Sequence, residues 1–430
     1  MSAARSGNTK PVLHGVKIKT RKRVQSAQAK FEPEIFRDNF LTVINSAKPG
    51  DLEDLSIKLD TAGKTLDYKK YAESVFEILI TGNISVPGGN IDDETEPSPF
   101  SIFSVEDDRQ TIKKYVDVFT KLMRRYKYLQ RPFEDTLKNI LQNINKWTPE
   151  QNNKLAVAIG IFVATQLINI GVLSVLLKDH LVKKGESLQF VTAVFKSYLV
   201  DHGVDSLGIM LRKADLESKL MEFFPPNKRD EDCFARHFEA EDMKELVDYH
   251  NRRQLSHRKD KFVEDIQELV QEGQPAKEAS ISLRQQLRDN GMEDTESVQI
   301  VWEGLMAGID WNGREENFNE QFLKMIHQYS PLLEVYCNIP EDQPATKAQK
   351  TAAAKANLAL LNRAQVYFYE NAKLTKHFRQ LLVVLYNNDV LSADAILYWH
   401  QNSAKTVFKK QLEPLIEKLQ DSDDEESDEE

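Results

Sequence analysis

The sequence predicts an all-α protein built from two stacks of paired helices. Apolar residues recur at three- and four-residue steps along nearly the whole chain, and strand-type alternation is hard to find. Glycine is scarce: 17 residues in 430, or about 4% against a usual value near 7%. Together these favour helices joined by short turns. With no fixed-period repeat visible, the reading is two HEAT-like helical-repeat domains, flanked by a disordered basic N-terminal arm and an acidic C-terminal tail.

The elements follow in order. Helices are expected at 34–46 and 66–81, with "LEDLSIKLD" helical as well and "VPGGN" at 86–90 a turn. In 109–129, Ile112, Tyr115, Val116, Phe119, Leu122, Met123 and Tyr126 line one strongly amphipathic face, which ends at Arg131-Pro132. Helices follow from Phe133 and at 149–168, 188–200 and 215–224. The apolar run 155–177 is long enough to span a bilayer, but Thr165, Gln166, Asn169 and Gly171 interrupt it, so two buried helices with a turn near Asn169 are expected. "FFPPNKRDED" at 223–232 joins two prolines to a charged run and marks the internal boundary. Beyond it Phe262, Val263, Ile266, Leu269 and Val270 share a face, and helices follow at 276–289, 294–309, 315–329, 358–371, 373–387, 392–402 and 404–420. The domains are therefore placed as arm 1–31, helical domain 32–228, linker 229–245, second helical domain 246–418 and tail 419–430.

Composition narrows the function. Residues 1–31 carry eight Lys or Arg and no acid, while 421–430 carry eight acids and no base. Both ends therefore read as disordered tails of opposite electrostatic preference. Cys233 and Cys337 have no partner at metal or redox spacing, which excludes a disulfide framework and a four-cysteine zinc site and fits a reducing compartment. The N-terminus lacks the apolar run of a signal peptide, so a cytoplasmic protein without membrane contact is expected.

Catalytic signatures fail on inspection. "AGKT" at 62–65 ends like a phosphate-binding loop, but Lys58 stands where its first glycine belongs and a helix precedes it where a strand is required. Gly63 reads instead as a helix C-cap or turn. The nine histidines fall at no zinc spacing, no triad stands out, and His400 reads as a surface or core-edge residue. No cofactor and no enzymatic activity are expected. The five bases of 121–131 read as a solvated helix face, with phosphate or RNA contact as the alternative. "KIKTRKR" supplies the sharpest basic cluster, Lys17, Lys19, Arg21, Lys22 and Arg23, an import signal or RNA-touching arm. A leucine zipper beyond it is excluded: heptads from Val24 place Glu34, Asp38, Asn45 and Lys48 at core positions and Pro33 inside the run. Near the other end, Ser392 is placed to cap a helix, Leu391 and Ile396 to staple it, and Trp399 to be buried.

"KIKTRKR", "LDYKKYAE" at 66–73, "RRYKYL" at 124–129, "LESKLMEFFPPNKR" at 216–229, "QYSPLL" at 328–333 and "VLSADAILYWH" at 390–400 occur in an order that closely resembles the basic leucine zipper and W-two domain family, the mimics of translation initiation factor five. The resemblance implies a C-terminal W-two domain with two aromatic and acidic boxes, here "VWEGLMAGIDW" at 301–311 and "ADAILYWHQN" at 393–402. It also implies binding to lysine-rich segments of the β subunit of initiation factor two and to a subunit of initiation factor three. Glu303, Asp310, Asp389 and Asp394 lie in or beside the boxes, and Asp421, Asp423, Asp424, Glu425 and Glu426 extend the charge in the tail. Ser422 and Ser427 each precede three acids and are candidate phosphosites. The implied function is non-enzymatic competition with initiation factor five, repressing non-AUG initiation. The alternative is a nucleic-acid-binding or transcription regulator acting through the basic arm, which also offers contact with ribosome or RNA. A GTPase activator or exchange enzyme would need catalytic residues of its own.

Overall fold

The computed structural model describes residues 31–427 except 87–89, 92–96, 310–314, 340–345 and 403. The chain divides into two compact units, Met1–His250 and Asn251–Glu430.

In the first unit, α1 (Pro33–Ile44), α2 (Leu52–Thr65) and α3 (Ala72–Thr81) precede a short antiparallel pairing of β1 (Ser85–Val86) with β2 (Asn90–Ile91); residues 87–89 of the expected turn lie outside the described residues. Then come α4 (Arg109–Arg125), α5 (Gln130–Leu141), α6 (Pro149–Ala164), α7 (Asp179–Val182), α8 (Glu186–Leu199), α9 (Val204–Lys213), α10 (Glu231–Ala240) and the start of α11 (Lys244–Gln271), whose residues from Asn251 on belong to the second unit. Asp51 caps α2 by accepting from the Glu53 and Asp54 amides, and a Thr148–Gln151 capping box starts α6. Helices pair as α2 with α4, α3 with α5, α4 with α6 and α6 with α8. The apolar face read from α4 is buried, and Phe119 meets Phe162 at 5.2 Å in the centre of the unit.

Several expectations change on physical grounds. Gly63 is neither C-cap nor turn but lies inside α2, because a Cβ there would sit 2.5 Å from the Tyr126 hydroxyl. The predicted helix 66–81 starts only at Ala72, since Tyr68 turns inward and donates to the Leu59 carbonyl at 2.8 Å. Of the two helices expected in 155–177, the second is a 3-10 run, Ile170–Leu177, entered through Asn169, whose side chain accepts from the Gly171 amide at 2.7 Å. The predicted helix 215–224 shrinks to a 3-10 turn, Leu220–Phe223, between Asp215 in the left-handed region and Pro225. No described helix is long and apolar enough to cross a membrane.

The unit division falls inside α11, beyond the 229–245 linker expected from the double proline. Phe234, Phe238, Met243, Leu246 and Val247 are buried in the first core, so the charged run after Pro225-Pro226 leads into helices of the same unit.

The second unit contains α12 (Ala276–Asp289), α13 (Asp294–Gly308), α14 (Glu315–Tyr329), α15 (Pro331–Cys337), α16 (Lys347–Glu370), α17 (Phe378–Asn387), α18 (Ala393–Asn402) and α19 (Thr406–Ser427). α13 packs on α16, α12 on α15, α14 on α17, and α17 and α18 on α19. Helix α16 begins well before the predicted 358, because Thr346 and Gln349 form a capping box and the alanines that follow favour helix. α19 passes the predicted end at 420 and reaches Ser427, with no proline or glycine after Leu419 to stop it.

Candidate partner-binding cleft

The turn between α17 and α18 is built by two residues that sequence patterns place on opposite sides of a helix boundary. Asp389 adopts φ +55°, the left-handed conformation that closes α17, and the Val390 amide bonds back to the Leu385 carbonyl at 2.9 Å. Asn and Asp enter this region more readily than bulkier residues, because a short polar side chain finds local hydrogen bonds there. The Asp389 carbonyl accepts from the Asn338 side chain beyond α15. Ser392 then caps α18 as expected, its hydroxyl accepting from the Ala395 amide at 3.3 Å. Leu391 and Ile396 are both buried, as a staple requires.

Asn357 on α16 ties these pieces together. It is 2% exposed. Its Oδ1 accepts from the Ser392 amide at 3.1 Å, and its Nδ2 donates to the Cys337 and Ala353 carbonyls at 2.9 Å each. One side chain thereby fixes the end of α15, the body of α16 and the start of α18.

Between these three helices runs an open cleft of about 800 Å³. Glu334, Asp389 and Asp394 line it, together with Lys350, Arg284 and Tyr398. Arg284 shares Asp294 with Arg288, at 3.2 and 3.1 Å, and lies over the Tyr336 ring, so Arg284 and Lys350 stand against the three carboxylates of the lining. Tyr398 is 57% exposed and gives the cleft an aromatic wall. The Cys337 thiol beneath is buried, which pushes it up to about 12 and leaves it protonated and inert.

The predicted site residues separate. Asp389 and Asp394 share the cleft. Glu303 does not; on α13 it pairs with Arg363 of α16 at 2.8 Å. Asp310 and the arm residues Lys17, Lys19, Arg21, Lys22 and Arg23 lie outside the described residues. Asp421 is exposed on α19, and the backbone of Ser422, Asp423, Asp424, Glu425, Glu426 and Ser427 continues that helix. Two box tryptophans are core: Trp302 and Trp399 are each 0% exposed, and Trp399 Nε1 donates to Asn362 at 3.1 Å; Trp311 lies outside the described residues. The sequence reading missed Glu334, Lys350 and Asn357 as members of the site. Tyr398 was within reach, since one residue from buried Trp399 it is turned about 100° around α18, away from the buried stripe. No group of acids, histidines and cysteines among the described residues is arranged to hold a metal ion.

Comparison with known proteins gives this geometry a family. Residues 18–260 match the 5MP1/2 HEAT domain, and residues 356–429 match the W2 domain described as eIF4-gamma/eIF5/eIF2-epsilon. The chain is 35% identical to eIF5-mimic protein 1 of Mus musculus and of Homo sapiens, over 97% of this chain and 97% of each relative. It is 32% identical to eIF5-mimic protein 2 of Gallus gallus, over 97% of this chain and 96% of the relative. Matched along nearly its whole length, with a HEAT domain followed by a W2 domain, the chain belongs to the eIF5-mimic family.

Proposed function

We propose that the chain represses initiation at non-AUG codons by occupying, through its C-terminal unit, surfaces of initiation factors two and three that initiation factor five uses. The family places it among non-enzymatic regulators of translation initiation that mimic factor five. The observation that carries the finer reading is the cleft: three carboxylates, Glu334, Asp389 and Asp394, stand beside an exposed tyrosine in a unit bearing the W2 match. Such a surface suits a lysine-rich segment such as that of the factor-two β subunit, because complementary potentials raise encounter rates and reject acidic competitors.

The test uses Glu334→Gln, Asp389→Asn and Asp394→Asn together in the full chain. Asn at 389 retains the left-handed backbone, whereas Lys there would add about 1–2 kcal/mol of strain. The triple variant is expected to melt as the parent does but to bind the factor-two β subunit at least tenfold more weakly in 0.1 M salt. In a reconstituted initiation assay, excess parent protein should displace factor five and lower near-cognate initiation in proportion to the concentration ratio. Equal competition by the triple variant would remove the cleft from the mechanism, and GTP hydrolysis stimulated by the chain alone would remove competition itself.

A further inference from the structure

The N-terminal unit carries a second surface whose chemistry differs from the cleft's. The loop between α2 and α3, Leu66–Tyr71, has an exposed aromatic ring at each end. Phe31 stacks on Tyr71 at 5.1 Å and 14° and is 61% exposed. At the other end, buried Tyr68 meets Tyr126 edge-on at 5.5 Å, Tyr126 meets Tyr128 at 6.0 Å, and Tyr128 is 49% exposed. Tyr126 thereby links Tyr128 to Tyr68 of the same loop. Each exposed ring is thus braced by a second aromatic ring.

The loop sets Lys69 and Lys70 against one acid, Asp67, in a chain whose net charge is −10. Residues 124–131 hold four bases and no acid. Lys69, Arg124, Lys127 and Arg131 are exposed, and none of them forms an ion pair among the described residues. The nearest acid on α2, Asp60, is already engaged by Lys64 at 2.9 Å and Arg125 at 3.0 Å, and these contacts hold its carboxyl at about 2.

We propose that this corner of the N-terminal unit binds single-stranded RNA, with Phe31 and Tyr128 as base-stacking platforms and Lys69, Arg124, Lys127 and Arg131 as phosphate contacts. Sequence-tolerant single-strand binding needs two things, a basic track for the backbone and fixed aromatic faces for the bases. The corner supplies both. An acidic peptide would use the bases alone and leave the braced rings without a role. The proposal is independent of the cleft and of competition with factor five, since it rests on residues of the other unit.

Fluorescence anisotropy of the full chain with a labelled twelve-nucleotide oligouridylate tests it, with circular dichroism confirming each variant's fold. Tyr128→Ala and Phe31→Ala are each expected to weaken binding at least about fivefold, while Tyr128→Phe, which keeps the ring, binds as the parent does. Neutralising Arg124, Lys127 and Arg131 to Gln should flatten the slope of log affinity against log salt by about 2, at about 0.7 per phosphate contact. Two results would overturn the proposal. One is parent-like binding by the corner variants when neutralising Lys17, Lys19, Arg21, Lys22 and Arg23 abolishes it, which assigns RNA to the arm. The other is a polyglutamate peptide that competes as well as RNA and is indifferent to Tyr128→Ala, which assigns the corner to an acidic protein.

Discussion

Asn357 uses both amide hydrogens and its carbonyl oxygen inside the second core, with partners from three segments. Replacing it with Leu leaves the Ser392 amide and the Cys337 carbonyl without their partner in a buried setting, where each orphaned group costs about 1–3 kcal/mol. Asn357→Leu should therefore lose about 2 kcal/mol or more in urea unfolding. It should also weaken factor binding although Asp389 and Asp394 are untouched, because the turn presenting them is no longer pinned. Nothing in the sequence marks Asn357: it follows an alanine run on a helix where a polar residue reads as solvent-facing. Asp389 and Asp394 entered the sequence reading through the resemblance, as acids in or beside the second box. Glu334 joins them only through tertiary contact, which no spacing rule contains. Gly208 sits inside α9, a helix absent from the sequence reading, and the Tyr249 phenol occupies the space a Cβ would need.

At the scale of elements, periodicity located helices well wherever one face is apolar and the other charged, as in α4, α12 and α14. It located ends less well, because ends are set by caps and by inserted side chains. The Thr346–Gln349 box lengthens α16, and Tyr68 delays α3. The end of α19 carries a testable consequence. Leu419 is its last buried residue among the described ones; Gln420 and then only acids and serines follow, at the helix terminus where the dipole already disfavours negative charge. Phosphates on Ser422 and Ser427 would each add about −1.5 to −2 charges there. Phosphorylation at both positions is expected to unwind the segment after Leu419 without lowering the melting temperature. Amide hydrogen exchange reads this directly: faster exchange in 420–427 with unchanged protection in α17 and α18 is the predicted pattern, and unchanged exchange in 420–427 would show that the final turns tolerate the charge.

For the whole molecule, the double proline at 225–226 and the true limit of the first unit are different features. The pair at 225–226 interrupts helix locally, since proline removes a backbone donor, but a domain ends where burial ends. Residues after them still fill the first core: Phe234 is 1% exposed, Phe238 2%, Leu246 0% and Val247 4%. The matched HEAT domain ends at 260, also inside α11, in keeping with the division after His250. Fragments 18–228 and 18–260 separate the two criteria. Burying a large apolar side chain contributes about 1.5–3 kcal/mol, so losing these four removes several kcal/mol from the shorter fragment. In a domain of this size each kcal/mol moves the melting temperature by about 2–4 °C. The fragment 18–260 should unfold in one cooperative transition, and 18–228 at least about 10 °C lower or without cooperativity. Equal melting of the two would mean that α10 and the start of α11 are bystanders to the first core, and the boundary would return to the prolines.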